Sequence, residues 1–476
     1  MTNPMIKKTK IIATIGPASS DKLIIAQLIE NGVDVFRINF SHGTQDDYRQ
    51  QIQNIRSAAD EQQKTIAILG DLQGPKIRIA KFKNGKINLN NNDKIILDCN
   101  YKDLGDEHMV GVDYVNLAKD VKVNDILLLD DGKISFVVES VVKSQIHCVV
   151  KQGGVLSNNK GINKLGGGLT APALTTKDFA DIQFAAEMQL DYLAVSFVRD
   201  ATDVILTRNL LATYNARASI ISKIERVEAI QNIVAITKAS DGVMVARGDL
   251  AVEVGDAQVP GLQKKIISCA QANHKLSIVA TQMLESMIVS PVATRAEISD
   301  IANAVLDGTD AVMLSAETAS GSHPVIAVAT MARTCIEAER NRDISINLNF
   351  TGQKFDYIDQ AIAMSALFSG YHLQAKAIVS LTTSGITALW LSRVNSGIPV
   401  YAITDSIKAA RQMALYKDVH PIYVSAKANN TDDMFKIAQN TLNKFNILST
   451  GDLILLTMGS NLHEVGGTNT MKIIRW

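Results

Sequence analysis

The feature that most constrains this chain is an alternation. Short β-branched, apolar runs trade places with helix-patterned segments eight times before about residue 340. The strands read as 11–15, 33–40, 65–69, 191–197, 219–225, 241–246, 277–281 and 310–315. Helices are expected from a Ser20-Asp21 cap to Glu30, over 46–63, and near 177–189, 201–214, 226–239, 258–273, 295–307 and 324–340. Eight strand–helix units are the number that closes a parallel barrel, so the expected fold is α/β, a (β/α)8 TIM barrel.

Two other regions break this rhythm. Residues 76–168 show short alternating runs, Asn/Asp/Gly turns and no convincing helix, the pattern of an inserted all-β domain folded as a small β-barrel or sandwich. The insertion leaves through Lys164-Leu165-Gly166-Gly167-Gly168, read as a hinge rather than an ordinary loop because composition changes on both sides. After about residue 345 a smaller α/β unit begins. The expected domains are therefore 1–75 with 169–343 (barrel), 76–168 (insertion) and 344–476 (C-terminal).

Composition excludes several classes. Lys+Arg 48 against Asp+Glu 48 leaves no net charge, which does not support nucleic-acid binding. No apolar run approaches the length of a membrane span, and no signal peptide is visible at the N-terminus. Cys99, Cys148, Cys269 and Cys335 are widely spaced, as in a reducing compartment, so a cytoplasmic location is expected.

Chemistry collects at the strand ends. Residues two apart on a strand share a face, so Lys223 and Glu225 point the same way. A structural ion pair capping a strand would look the same. A second apolar run ending in Arg247-Gly248-Asp249 and a third ending in Thr281 tip the reading towards a barrel mouth. Strand ends together supply Arg37, Asn39, Ser41, Asp71, Lys223, Glu225, Asp249 and Thr281. Two carboxylates from adjacent strands favour an oxygen-ligated divalent cation, Mg2+, completed by substrate oxygens and water. With cations for an anionic substrate, the set suits phosphoryl transfer. No Walker loop or dinucleotide fingerprint accompanies it. Further on, the hydroxyl-rich turn 382–387 offers either an anion site or a plain helix cap.

These residues resemble the pyruvate kinases. Ile15-Gly16-Pro17, Arg37-Ile38-Asn39-Phe40-Ser41-His42-Gly43, Ile221-Ser222-Lys223-Ile224-Glu225, Met244 to Leu250, Ala280 to Met287 and Met313 to Thr318 match that family's motifs in order and spacing over essentially the whole chain. The resemblance implies transfer of phosphate from phosphoenolpyruvate to ADP, giving pyruvate and ATP. It implies that Lys223 neutralises the moving phosphoryl group and the enolate oxygen, and that Glu225 and Asp249 hold Mg2+, with Mn2+ as a substitute. Gly248, through its N–H, and Thr281 would position the substrate, and Arg37 would bind phosphate. Arg78 and Lys160 would reach the nucleotide from the insertion, which closes as a lid, and Asn39 and His42 would sit near the nucleotide phosphates. Thr281, with water passing Ser315 and Glu317, would deliver the proton. A homotetramer is implied as well.

Two departures from the family pattern carry expectations of their own. Lys76 stands where many members have a glutamate beside a K+ held by counterparts of Asn39, Ser41, Asp71 and the Leu72 carbonyl. An ammonium there would take the place of K+, so no K+ requirement is expected. Residues 158–168 are similar to a bacterial branch activated by AMP or sugar monophosphates, with the effector phosphate in the turn of Thr382, Thr383, Ser384, Gly385 and Thr387. A lyase or mutase on a similar barrel would share the enolate chemistry but would need no nucleotide lid. A silent metabolite sensor would have no need to keep Lys223, Glu225, Asp249 and Thr281 together.

Overall fold

The computed structural model describes residues 7–340, 354–425, 431–445, 447–460 and 466–476. The expected boundary between 343 and 344 lies outside them.

Eight strands close a parallel barrel. Their hydrogen-bonded order is Lys10–Thr14, Ala311–Leu314, Leu276–Ala280, Gly242–Ala246, Ser219–Ile224, Tyr192–Val195, Ala67–Asp71 and Val35–Asn39, which returns to Lys10–Thr14. Sequence dictates this locally. Strands such as Leu276–Ala280 and Gly242–Ala246 are buried at every residue, as parallel strands covered on both faces must be. Helix starts are written in caps. Asp21 accepts from the Leu23 N–H, and Thr44 with Asp47 and Thr294 with Glu297 form capping boxes. Gly308, left-handed at φ +93°, ends Arg295–Asp307.

The chain divides into two compact units. One comprises Asp71–Glu187 and Leu193–Cys269. Within it the insertion forms a six-stranded sheet, ordered Ile162–Lys164, Ile126–Leu129, Ile134–Val142, Gln145–Gln152, Lys94–Asp98, Met109–Gly111. A two-stranded ribbon, Gly154–Ser157 with Lys86–Leu89, accompanies it. Ile79, Leu97, Leu127, Phe136, Val150 and Leu156 share one buried core between them. The insertion is thus two sheets rather than a closed barrel.

Two segments of this unit depart from expectation. The segment expected as one helix over 226–239 is two, Val227–Gln231 and Ile233–Ala239, broken at Asn232. Arg247–Val254 is a helix that the sequence did not announce: its glycine and β-branched valines have low helical propensity, and Gly255 at φ +88° stops it. Its first turn carries Gly248 and Asp249.

The other unit comprises Met1–Gly70, Met188–Tyr192 and Ala270–Trp476. Its C-terminal part is a five-stranded sheet ordered Val419–Tyr423, Val400–Thr404, Ala377–Leu381, Leu453–Gly459, Thr468–Arg475. Only the last strand pairs antiparallel, with Leu453–Gly459. Both faces are covered: Ile378, Val400 and Leu455 belong to one apolar cluster, Val379, Ile403 and Leu456 to the other.

Candidate active site

Lys223 lies on Ser219–Ile224 and Glu225 immediately follows. The pleat turns both to one side, and Lys223 Nζ stands 2.9 Å from Glu225 Oε1. The same ammonium is 3.3 Å from Oδ1 of Asp71, the last residue of Ala67–Asp71. It donates to Ser196 Oγ at 2.8 Å, and Ser196 donates in turn to the Leu72 carbonyl at 2.7 Å. Glu225 is fully buried, and its Oε2 accepts the Phe197 N–H at 2.7 Å. Burial pushes the Glu225 carboxyl above the ordinary glutamate value; the Lys223 ammonium opposes this, and the neighbouring Asp249 carboxylate adds to it. A buried carboxylate burdened by a second one fits a divalent cation, whose charge would relieve both. Glu225 and Asp249 are the carboxylates that could hold it; among the described residues no group of three or more His, Cys, Asp or Glu suited to a metal occurs.

Lys76 is turned to Asp249, with Nζ 3.5 Å from Oδ1. The sequence led to the expectation of Lys76 beside the K+ ligands Asn39, Ser41, Asp71 and the Leu72 carbonyl; in the structure the Asp71 carboxylate has Lys223 beside it.

In the other unit, Arg37 lies on Val35–Asn39 and donates to Thr14 Oγ1 at 3.1 Å. Thr14 Oγ1 donates to the Leu314 carbonyl at 2.8 Å, so the guanidinium is braced by two strands. The Asn39 side chain accepts the Ser41 N–H at 3.1 Å. Arg37, Asn39 and His42 line a cavity of about 1040 Å³ together with Pro17, Tyr48 and Ser315. Gly16, also on its wall, is required: a Cβ there would come within 2.5 Å of the Ala319 carbonyl oxygen.

Thr281 follows Leu276–Ala280 with φ +68°, and Gln282 with φ +53°. A β-branched residue in the left-handed region costs on the order of 1–3 kcal/mol and is found chiefly at functional sites. Thr281 Oγ1 donates to the Ala280 carbonyl at 2.6 Å. Glu317 accepts from the Leu284 N–H at 3.1 Å and the Ser315 N–H at 2.7 Å, bracing two loops that follow strands.

Other candidates lie elsewhere. In the insertion, Arg78 donates to the Asn159 carbonyl at 3.1 Å, and Lys160 Nζ pairs with Asp130 at 2.6 Å. In the C-terminal sheet, Gly385 at φ +83° precedes Ile386–Ser392 and its N–H donates to Thr382 Oγ1 at 2.9 Å. Thr387 is buried, its hydroxyl 2.7 Å from that of Thr468. Thr382 and Thr387 therefore shape the turn, while Thr383 and Ser384 are half-buried.

Sequence reasoning missed Ser196, Arg226 and Glu253. Ser196 follows Tyr192–Val195, so the strand-end rule that found Lys223 covers it too. Arg226 donates to the Leu169 and Ala171 carbonyls at 3.3 and 3.4 Å and stands 5.5 Å from the Phe197 ring centre. Glu253 accepts the Val227 N–H at 3.2 Å.

An ammonium and paired carboxylates at the ends of parallel barrel strands suit enzymes that act on anionic, cation-chelated substrates. Comparison with known proteins narrows the class. The family described as pyruvate kinase, barrel domain, matches residues 6–328, and pyruvate kinase, alpha/beta domain, matches 360–474. The chain is 47% identical to pyruvate kinase II of Salmonella typhimurium, covering 98% of each. It is 46% identical to the pyruvate kinase of Buchnera aphidicola subsp. Baizongia pistaciae, over 98% of this chain and 99% of that one. A solved pyruvate kinase from Cryptosporidium parvum superposes with a TM-score of 0.93 at 34% identity, covering 98% of this chain and 96% of its own. The chain belongs to the pyruvate kinase family, the phosphotransferases that convert phosphoenolpyruvate and ADP to pyruvate and ATP.

Proposed function

We propose that this chain performs the family's reaction through Lys223, Glu225, Asp249, Thr281 and Arg37, under control of a phosphorylated effector. The observation that carries the reading is the Lys223 ammonium, mostly buried and held by Asp71, Glu225 and Ser196. Three partners fix its position without covering it, so it meets developing negative charge with little reorganisation. Its part is to neutralise the phosphoryl group in transit and the enolate oxygen left behind. Mg2+, or Mn2+ in its stead, held by Glu225 and Asp249 would supply the remaining positive charge and polarise substrate oxygens.

Arg37 binds phosphate. The Gly248 N–H, in the first turn of Arg247–Val254, receives the substrate carboxylate with Thr281 beside the enolate. Thr281 also relays the proton, through water passing Ser315 and Glu317. Asn39 and His42 meet the nucleotide phosphates in the cavity they line, and Arg78 and Lys160 reach the nucleotide from residues 76–168, which close as a lid and exclude water. Lys76 supplies a resident monovalent charge, so K+, which the family otherwise binds through Asn39, Ser41, Asp71 and Leu72, is not required.

AMP or a sugar monophosphate binds the turn of Thr382, Thr383, Ser384, Gly385 and Thr387 in the region 344–476, as in the lysine-bearing bacterial branch. The enzyme is a cytoplasmic homotetramer. No helix among the described residues is long and apolar enough to cross a membrane.

An assay of phosphoenolpyruvate consumption with and without ADP tests the reaction. Loss of phosphoenolpyruvate that depends on ADP and yields ATP is expected; ADP-independent loss would point to a lyase or mutase instead.

A further inference from the structure

We propose that Lys76 is a tethered counter-ion of the divalent-cation site: its ammonium neutralises Asp249 until a metal arrives and is displaced when one binds. The proposal rests on reading Glu225 and Asp249 as the metal's carboxylates.

Charge is divided unevenly around this site. Lys223 serves both Asp71 and Glu225, and Asp249 has Lys76, at 3.5 Å. The lysine's reach is set by its backbone. Gly74, at φ +65°, donates its N–H to the buried Asp178 carboxylate at 3.1 Å, and the Lys76 N–H donates to the Gly74 carbonyl at 3.0 Å. One residue on, the Ile77 carbonyl accepts the Ile162 N–H at 2.9 Å. The lysine stem then runs beside Gly161, where an added Cβ would stand 3.3 Å from Lys76 Cε. Asp249 is fixed from the other side by the first helical turn.

The pair is built to be broken. Lys76 and Asp249 keep 30% and 26% side-chain exposure, so water screens their attraction and the bond is weak. Glu225, by contrast, is wholly buried beside Lys223. Mg2+ requires its oxygen ligands at about 2.0–2.1 Å. An ammonium resting on Asp249 would repel the incoming dication and compete for the same lone pairs. The metal therefore binds against a resident cation, and its arrival frees Lys76, which lies where the chain enters the inserted β region. Without the lysine, the carboxylate pair would hold divalent ions more tightly in the resting enzyme.

Mn2+ titrated into the full chain without substrates, with free Mn2+ followed by electron paramagnetic resonance, tests this. Native protein, Lys76→Met, Lys76→Arg and Glu225→Gln are compared after matching their thermal midpoints. Lys76→Met is expected to bind Mn2+ about two- to fivefold more tightly than native, and Lys76→Arg close to native, in line with the loss or retention of a screened ion pair. Equal or weaker binding by Lys76→Met, with Glu225→Gln still impaired, would overturn the counter-ion role and leave the metal site standing. Unimpaired Mn2+ binding by Glu225→Gln would overturn the metal-site reading, and this proposal with it.

Discussion

Lys223 and Lys76 are both ammoniums beside carboxylates, and their neighbours give them different work. Lys223 is mostly buried and held at three points, whereas Lys76 is more exposed, with Asp249 as its ionic partner among the described residues at 3.5 Å. The proposed independence of K+ belongs to this scale, because it rests on the charge that the Lys76 ammonium, 3.5 Å from Asp249 Oδ1, would supply in place of the ion. Turnover in potassium-free, sodium-free buffer is expected to match that with KCl, while Lys76→Glu should make KCl necessary. Near-zero native turnover rescued by KCl would reject the idea. The pairing of Lys223 with Glu225 was legible because a strand's pleat puts residues two apart on one side. The partner of Lys76 was not legible. It lies in a loop after Gly74-Pro75, where no periodicity dictates direction, and the structure turns it to Asp249 rather than Asp71. Ser196 was legible in principle by the strand-end rule, and only its neutral side chain kept it from notice.

Among the elements, the barrel strands were readable because full burial forces unbroken apolar runs, whereas Arg247–Val254 was not, since tertiary packing overrides the poor helical propensity of its valines and glycine. That helix also carries Glu253, whose buried carboxyl is pushed up to about 7, burial outweighing the Val227 N–H and Arg226. Its main-chain carbonyl accepts the Gly166 N–H at 3.0 Å, tying the glycine-rich exit of the insertion to the helix. The folded form thus holds a proton that the unfolded chain releases near 4.5. Glu253's contribution to stability is full below that value, falls as pH rises, and is gone above about 7. The loss is on the order of 3 kcal/mol. Urea-unfolding midpoints at pH 5 and pH 8 check this: the native midpoint should drop further between them than that of Glu253→Gln, and equal drops would contradict it.

For the whole molecule, alternation, interruption and resumption along the chain were enough to foresee a barrel with an all-β insertion and a trailing α/β sheet. The closure of the insertion was not foreseeable, because alternating short strands fit a barrel and a pair of sheets equally well. The proposed control belongs to this scale, since an effector in the C-terminal turn would have to act on a reaction carried by other strands. Ser384→Asp would set a carboxylate where the effector phosphate is proposed to bind, and is expected to abolish activation by AMP and sugar monophosphates; undiminished activation would place the effector elsewhere. The central claim is that one ammonium, held at the end of a barrel strand, stabilises the phosphate as it moves. Its most direct test is pyruvate release with phosphoenolpyruvate, ADP and Mg2+, comparing native protein with a Lys223→Met variant of matched thermal midpoint. A fall of roughly a hundred- to a thousandfold is predicted, the cost of removing one preorganised charge. Equal rates would contradict it.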